Sequence, residues 1–330
     1  MRETDLADEL FRAPGSAPPT GVRVATARRG GVTVTRVEIA REGLERPRGR
    51  YVTLEVPRVS LLDERDESVI EPAAAELQAL LRLSAQEGIR VRLLGAGTNI
   101  LAPDGGVRGL VIVTSGALTG LSMPDAAHIE AMSGVTMARL ACFARDNGLT
   151  GLEFAHGIPG TVGGGVFMNA GAYGGEMKQI VESVTVLTMG GEEKMLSGEE
   201  SAFAYRTSVY QTLPCVIVKA VLRLQPGDPE TIGQTMRTLI EKRKASQPLE
   251  LPSAGSTFKR PTGYFAGPLI EQAGLKGCGV GGAEVSKKHA GFIVNTGGAT
   301  AEDIKKTIAM VQSRVWETSG VRLEPEVRIW

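Results

Sequence analysis

The chain has 330 residues, and its 37 acidic and 37 basic side chains leave no formal net charge at neutral pH. This length favours two or three domains, and the balanced charge argues against a protein that binds nucleic acid or an anionic membrane. The three cysteines and three histidines are scattered without disulfide or ligand spacing, so we expect a reducing compartment and no metal site. Because no apolar run of about 18 residues and no apolar leader is present, we expect a cytoplasmic protein.

The amino-terminal part alternates strand and helix patterns. Apolar residues at every second position predict strands, and a Glu-Pro pair followed by apolar residues at helical spacing predicts a helix. The predicted elements are strands at 31–40 and 50–59, a helix from Glu71 to Gly88, and strands at 90–95 and 109–114. From the helix onward, this order is typical of a small α/β unit.

The remainder continues in the same way, except for a glycine-rich segment without periodicity at 156–176. Strands are expected at 128–135, 181–189, 215–224, 289–295 and 322–330, and helices at 136–148, 231–247, 267–275 and 300–320. No tandem repeat or low-complexity tract interrupts the pattern.

The first candidate motif is Gly95-Ala96-Gly97-Thr98-Asn99-Ile100, directly after an apolar strand. Backbone amides in such a turn can point at one anionic group, and the missing side chains allow close approach. No helix with a third glycine follows, so the motif is not a dinucleotide-binding fingerprint. A plain tight turn explains it equally well.

The second motif is the glycine-rich segment itself, which runs from His156 to Gly175. Dense glycine is costly in a packed element, which favours a backbone that approaches a ligand. A diphosphate suits many exposed amides, and the small residues leave room for a flat cofactor. The alternative is a mobile surface loop, which would expose Ile158, Val162 and Val166. His156 by itself is read as a structural hydrogen-bonding residue.

Three further segments carry polar residues whose meaning is ambiguous when each is taken singly. Arg206, in Ala204–Ser208, reads as a surface arginine. The segment Ser253–Pro261 reads as an anion-binding loop or a turn. The segment Leu323–Trp330 reads as a terminal strand.

Taken together and in this order, the motifs resemble the UDP-N-acetylenolpyruvoylglucosamine reductase family, in its shorter type II form, over residues 70–330. The matching segments are LGAGTNIL, HGIPGTVGGGVFMNAGAYGGE, YRTS, SAGSTFKRP, GPLIEQAGLKG, KKHAGFIVN and LEPEVRIW. The resemblance implies an α+β fold: a two-lobed FAD-binding domain of the p-cresol-methylhydroxylase (vanillyl-alcohol-oxidase) type and a C-terminal α/β substrate-binding domain. The implied divisions are an extension at 1–69, FAD lobes at 70–125 and 126–225, and the substrate domain at 226–330.

The resemblance also implies an activity: the NADPH-dependent reduction of UDP-N-acetylglucosamine enolpyruvate to UDP-N-acetylmuramate through bound FAD, in peptidoglycan precursor synthesis. From the balanced charge and the scattered Cys and His residues we expect no nucleic-acid, membrane or metal binding, and we expect a monomer. Matching motifs assign catalytic roles to Arg206, Ser256 and Glu326. A fixed guanidinium suits the negative charge that develops on the substrate, the serine hydroxyl is the candidate proton donor to C2, and the glutamate would assist by hydrogen bonding.

The same matching assigns residues to the two ligands. Those assigned to FAD are Gly95, Ala96, Gly97, Thr98, Asn99, Ile100, Gly157, Ile158, Pro159, Gly160, Thr161, Gly163, Gly164, Asn169, Ala170 and Gly171. Those assigned to the substrate are Tyr205, Lys259 and Arg260.

The amino-terminal part departs from the family. The short strand with a T-T-F-R-I-G-G-like motif that usually precedes the helix is absent. Residues 1–67 instead resemble the amino-terminal part of the spore germination protease, without a recognisable protease site; an unrelated two-stranded extension is the alternative. The missing strand would weaken cofactor binding, unless Val52–Val56 or Val32–Ile39 takes its place.

Three rival functions follow from these observations. The chain could be another FAD oxidoreductase, such as a sugar or lactone oxidase, but those lack the combined YR, GS and PEV motifs. It could be an inactive, FAD-deficient fusion that only binds a nucleotide sugar. It could also be a spore-protease-like module with a passive tail, against which the missing protease site argues.

Overall fold

The computed structural model describes the backbone of three amino-terminal strands and of residues 70–330, apart from 87, 89, 108, 109, 116 and 117. The chain divides into two compact units. One comprises Met1–Leu93, Arg108–Ile112 and Leu187–Glu193, and the other comprises Leu94–Val107, Val113–Val186 and Lys194–Trp330. None of the described helices has the length and apolarity of a membrane span.

Six α-helices are described, and most begin where a capping residue predicts. Thr136, Thr161, Asp228 and Thr300 each accept a hydrogen bond from a backbone amide in the first turn of the helix that follows. The helices are α1 (Ile70–Gln86), α2 (Met137–Asp146), α3 (Val162–Met168), α4 (Pro229–Ser246), α5 (Ala266–Gln272) and α6 (Ala301–Ser319). The helices expected near 136–148, 231–247, 267–275 and 300–320 are therefore confirmed. The helix α3 is a difference, because the glycine-rich segment was expected to be irregular.

The described strands are more numerous than the sequence pattern predicted. They are β1 (Val22–Arg29), β2 (Val32–Ile39), β3 (Arg50–Val56), β4 (Val91–Leu94), β5 (Ile100–Leu101), β6 (Leu110–Val113), β7 (Leu121–Asp125), β8 (His128–Met132), β9 (Leu149–Thr150), β10 (Gly171–Ala172), β11 (Gly175–Glu176), β12 (Val181–Thr188), β13 (Glu193–Ser197), β14 (Cys215–Arg223), β15 (Gln225–Pro226), β16 (Ser253–Ser256), β17 (Gly279–Val280), β18 (Ala283–Val285), β19 (Phe292–Asn295) and β20 (Arg328–Ile329). The missed ones are mostly short, and tertiary pairing rather than local alternation defines them.

The two strands expected at 31–40 and 50–59 are confirmed as β2 and β3, and β1 precedes them. Together they form an antiparallel sheet of their own, in the order β1-β2-β3. Among the described strands, neither β2 nor β3 pairs with β4 or β6, which pair with each other. The hypothesis that Val32–Ile39 or Val52–Val56 replaces the family's first strand is therefore wrong. Residues 1–21 and 57–69 lie outside the described residues, and the resemblance to the spore germination protease stays a prediction.

The second unit is built around a five-stranded sheet in the order β13-β12-β14-β8-β7. Its central strand β14 pairs antiparallel with β8, and β8 pairs antiparallel with β7. Helix α2 buries Met137, Leu140 and Ala141, which is the face that its 3.6-residue periodicity predicts. This sheet carries the turn that bears Arg206.

The carboxy-terminal part of the same unit has an antiparallel sheet in the order β16-β19-β18-β17. Its core is continuous and apolar. The fully or nearly fully buried members include Phe258, Ile270, Val285, Val311 and Val315. The chain's tail then crosses back, because β20 pairs in parallel with β5 through Arg328 with Ile100 and Ile329 with Leu101. Of the strand expected at 322–330, the structure has this two-residue pairing and a single antiparallel bridge between Pro325 and Phe258.

Candidate active site

Arg206 and Glu326 form an ion pair at the centre of the candidate site. The Nε atom of Arg206 donates to Oε1 of Glu326 at 2.8 Å, and Nη2 donates to the carbonyl of Gly171 at 2.9 Å. The two side chains are only 22% and 16% exposed. The backbone of Arg206 has a φ of 53°, a left-handed conformation that is costly for a residue with a side chain. Such strain is typical of residues held in place for function.

Ser256 reaches the same place because the tail pairs with the segment that follows β16. The amide of Glu326 donates to the carbonyl of Thr257 at 2.8 Å, and the amide of Lys259 donates to the carbonyl of Glu324 at 2.8 Å. Within the described residues, the hydroxyl of Ser256 has one protein partner, the carbonyl of Phe258 at 3.3 Å. At this distance the bond is weak, so the hydroxyl can be redirected to a ligand.

A cavity of about 200 Å³ lies over these residues. The structure brings Arg206, Ser256 and Glu326 together in its wall, with Tyr205 and Arg260 beside them. Lys259 does not line it; its ammonium pairs with the carboxylate of Glu324. Two aromatic residues that the motif reading did not single out, Phe265 and His289, also line the cavity.

The part-buried carboxyl of Glu326 lies in the cavity wall with the guanidinium groups of Arg206 and Arg260. Burial raises the pKa of Glu326, while Arg206 and Lys259 oppose that rise. Desolvation therefore outweighs the pairing with the guanidinium. A carboxyl whose pKa is raised by burial beside a charged partner is a candidate for a functional site.

Two of the three residues assigned to the substrate, Tyr205 and Arg260, form the exposed edge of the cavity. The amide of Arg260 donates to the phenol oxygen of Tyr205 at 3.1 Å, and the Arg206 guanidinium lies 5.2 Å from the centre of the Tyr205 ring. The Arg260 guanidinium stacks 3.8 Å above the ring of Phe265. Tyr205 and Phe265 are about half exposed, at 49% and 57%. This edge offers flat apolar surfaces and a cation to an anionic aromatic ligand.

The two glycine motifs lie side by side. The hydroxyl of Thr98 donates to the carbonyl of Pro159 at 3.1 Å, and a Cβ added at Gly95 would lie 2.6 Å from Oγ1 of Thr161. Gly97 and Gly160 adopt φ values of 70° and 130°, which glycine tolerates best. The loops therefore need glycine at these positions to approach each other.

Both loops carry amides without partners. In the part of the chain that the structure describes, the amides of Gly95–Thr98 donate to no protein acceptor, and neither do those of Gly157, Gly160 and Thr161. The guanidinium-bearing side chain of Arg243 passes 3.5 Å from the Cβ position of Gly157. Convergent unpaired amides beside a cation suit a diphosphate.

Other residues assigned to FAD make hydrogen bonds or packing contacts inside the protein. The amide of Gly163 donates to the carbonyl of Ser133. The neighbouring Gly165, which was not assigned to FAD, leaves room for Met137, whose sulfur lies 2.8 Å from its Cβ position. The side-chain amide of buried Asn169 donates to Glu176 and to the carbonyl of Ala204, while its oxygen accepts from the amide of Lys178. These glycines allow α3 to pack closely, and Asn169 holds the turn before Arg206.

The remaining assigned residues support the tail and the guanidinium. The side-chain amide of Asn99 donates to the backbone carbonyl of Glu326 at 3.2 Å. The backbone carbonyl of Asn99 accepts from the amide of Arg328. Ile100 pairs with Arg328 in β5–β20, and the carbonyl of Gly171 holds Arg206. The first glycine loop is thus fastened to the segment that carries Glu326.

Sequence reasoning missed two residues of this region, His289 and Arg243. His289 was passed over because the three histidines lack ligand spacing, although it belongs to the segment KKHAGFIVN. Arg243 lies in a helix of exposed cations and carried no local signal. In the described residues, no group of three His, Cys, Asp or Glu side chains could hold a metal ion.

Comparison with known proteins agrees with this geometry. A family model described as "FAD binding domain" matches residues 68–197, and one described as "UDP-N-acetylenolpyruvoylglucosamine reductase, C-terminal domain" matches residues 247–330. The fold and the glycine loops therefore define an FAD-dependent oxidoreductase.

Curated relatives narrow this class. UDP-N-acetylenolpyruvoylglucosamine reductase of Limosilactobacillus fermentum is 47% identical over 77% of this chain and 84% of its own length. The enzyme of that name from Caldanaerobacter subterraneus is 43% identical over 88% of this chain and 95% of its own length. The crystal structure of the Thermus caldophilus reductase is similar with a TM-score of 0.65 and 34% identity, covering 78% of this chain and 89% of that one. The chain belongs to the UDP-N-acetylenolpyruvoylglucosamine reductase family.

The residues present fit the FAD that this family membership implies. Within the described residues, the unpaired amides of Gly95–Thr98 and of Gly157, Gly160 and Thr161 are the donors that its diphosphate needs. The Cβ positions of Gly95 and Gly160 are already filled to within 2.6 and 3.2 Å by threonine hydroxyls, so no larger residue fits between the loops.

Proposed function

We propose that this protein reduces UDP-N-acetylglucosamine enolpyruvate to UDP-N-acetylmuramate, using NADPH and bound FAD, in peptidoglycan precursor synthesis. One observation carries the proposal: in a chain of this family, a cation, a hydroxyl and a buried carboxyl meet in one cavity wall. When bound, FAD supplies the chemistry of accepting a hydride from NADPH and passing it to C3 of the enolpyruvyl group.

Arg206 stabilises the negative charge that develops on the substrate during this reduction. Its guanidinium is held by Glu326 and by the carbonyl of Gly171, so little reorganisation is needed when charge appears. The backbone of Arg206 is left-handed, with a φ of 53°, and the residue lines the cavity. A fixed planar cation can bind a carboxylate through two parallel hydrogen bonds.

Ser256 donates the proton that must reach C2. Its hydroxyl lines the cavity and, in the part of the chain that the structure describes, makes only a long bond to the carbonyl of Phe258. Serine is a weak acid, so it acts on a strongly basic, carbanion-like centre. A positioned proton donor of this kind contributes about 10²–10⁴-fold in rate.

Glu326 assists from the other side of Arg206. The raised pKa of its carboxyl, caused by burial, supports a hydrogen-bonding role toward the substrate. Tyr205 and Arg260 line the cavity, which supports their assignment to the sugar nucleotide. Lys259 is assigned there more weakly, because its ammonium is paired with Glu324.

The broader context follows from the same proposal. The enzyme acts in the cytoplasm as a monomer, with an extension at 1–69, FAD lobes at 70–125 and 126–225 and a substrate domain at 226–330. The match to an FAD-binding family and the unpaired loop amides do not favour the alternative of an FAD-deficient protein that only binds a nucleotide sugar.

Anaerobic stopped-flow spectroscopy tests the proposal. The purified protein should show a flavin spectrum, lose it on addition of NADPH, and regain it on addition of UDP-N-acetylglucosamine enolpyruvate. The Ser256→Ala variant should keep the first half-reaction and slow the second, whereas Ser246→Ala, an exposed serine on α4, should change neither. Equal slowing of both half-reactions by Ser256→Ala would falsify the role of Ser256, and a wild type that this substrate does not reoxidise would refute the function.

A further inference from the structure

His289 lies in the cavity wall with Ser256. It is half-buried, and its ring meets Phe292 edge-on with centroids 5.0 Å apart. The amide of Gly291 donates to Nδ1 of His289 at 3.1 Å. Because Nδ1 accepts this bond, the proton of the neutral ring resides on Nε2.

The accepted bond connects the ring to Ser256 through the backbone. The carbonyl of Gly291 accepts from the amide of Thr257 at 2.8 Å, and Thr257 directly follows Ser256. The carbonyl of Thr257 in turn accepts from the amide of Glu326. The position of Gly291 therefore sets the position of the segment that carries Ser256 and contacts Glu326.

Gly291 has little space for a side chain. A Cβ at this position would lie 3.0 Å from Cε1 of His289 and 3.7 Å from Oγ of Ser256. The imidazole and the serine hydroxyl thus flank the same glycine. Burial lowers the pKa of His289, which keeps the ring neutral and Nδ1 able to accept.

We propose that His289 is a positioning residue for Ser256, acting through the bond from Gly291 to Nδ1, so that the serine hydroxyl faces C2 of the substrate. The proposal rests on the proposed function. It assigns no proton transfer to the ring itself. Loss of the acceptor should slow the proton-dependent half-reaction without affecting the reduction of the flavin by NADPH.

Two substitutions separate the two ring nitrogens. His289→Asn keeps an oxygen acceptor near the place of Nδ1, whereas His289→Gln keeps a donor near the place of Nε2 and loses the acceptor. We expect the reduced flavin of His289→Asn to be reoxidised by the substrate at close to the wild-type rate. We expect His289→Gln and His289→Ala to slow reoxidation on the order of 10-fold, the effect of losing one hydrogen bond to a buried amide. Lys287→Ala, an exposed neighbour, is the matched control.

Hydrogen exchange measured by mass spectrometry makes the test independent of turnover. The measured group is the amide of Gly291, which donates to Nδ1 of His289. The peptide that contains this amide should exchange faster in His289→Gln and His289→Ala than in the wild type and His289→Asn. The inference is overturned if His289→Gln retains activity and protection while His289→Asn loses them, or if all variants behave like the wild type. A wild type without substrate-dependent reoxidation refutes the proposed function, while the exchange pattern still decides whether His289 holds Gly291.

Discussion

Nε of Arg206 donates to Oε1 of Glu326 at 2.8 Å although the two residues are 120 positions apart. The pair joins a turn beside the five-stranded sheet to the last residues of the chain. Because each partner is less than one-quarter exposed, removing one leaves a buried charge on the other.

This pair yields the first prediction. Arg206→Met should slow reoxidation of the reduced flavin by the enolpyruvyl substrate by about 10²–10³-fold, the usual effect of losing one stabilising group at a developing charge. Glu326→Gln should slow it less, because the amide oxygen still accepts from Arg206. Stopped-flow absorbance measures both. Arg237→Met, an exposed arginine on α4, is the control, and a larger effect of Glu326→Gln than of Arg206→Met would contradict the assignment.

The contact between the glycine loops yields the second prediction. A methyl group at Gly95 would lie 2.6 Å from Oγ1 of Thr161, and that oxygen also caps α3. Gly95→Ala should therefore push the loops apart and weaken FAD binding on the order of 10-fold or more. Fluorescence titration of apoprotein with FAD measures the dissociation constant. Gly105→Ala, in the same stretch but with open space around its Cβ position, should bind FAD normally; equal affinities for all three proteins would argue against the shared site.

The half-buried cation of Arg243 yields the third prediction. Burial lowers the pKa of Arg243, and within the described residues its guanidinium has no anionic partner. An anion from a ligand would offset that cost. Arg243→Met should weaken FAD binding by about 10-fold, without lowering the unfolding midpoint of the apoprotein. Calorimetry and thermal melts with and without FAD measure this, with Lys242→Met as the control; a destabilised apoprotein with unchanged FAD affinity would show a purely structural role.

A surface histidine yields a pH-dependent prediction. Nδ1 of His128 contacts the Asp125 carboxylate at 2.7 Å and Nε2 contacts Glu182 at 2.9 Å. The bond to Asp125, and then that to Glu182, raises the pKa of His128 above 6.5. Its stabilising contribution is thus fully present below the unfolded pKa of about 6.5 and is lost as pH rises through the folded pKa.

His128→Gln should therefore lower the urea midpoint relative to wild type most at about pH 5.5, and the difference should shrink by about pH 8.5. Equilibrium unfolding followed by circular dichroism at both pH values measures it. Thr231→Ala, which removes a hydrogen bond to Asp228 rather than to a histidine, should show the same difference at both pH values. A difference that grows with pH would mean that the neutral ring, rather than the imidazolium, is the stabilising form.

The glycine loops of the site and the helix starts could be predicted from the sequence, because both depend on local backbone geometry. Glycine at positions 97 and 160 is required by positive φ, and the capping residues Thr136 and Thr300 mark helix starts. The order of the motifs then indicated the family. The glycines at 163–165 were interpreted as part of a ligand-binding loop, but they lie in helix α3 and pack against Ser133 and Met137. The sequence does not separate the two roles, because a closely packed helix and a ligand-binding loop both require a residue without a side chain.

By itself, the sequence determined which residues are capable of the chemistry and where the backbone must turn, since both depend on residue type and near neighbours. Only the tertiary structure decided that Arg206, Ser256 and Glu326 share one cavity, that His289 joins them, and that strands β2 and β3 form a separate sheet. The reason is physical: these contacts span up to 120 positions, and their geometry is set by sheet pairing and core packing that no local pattern records.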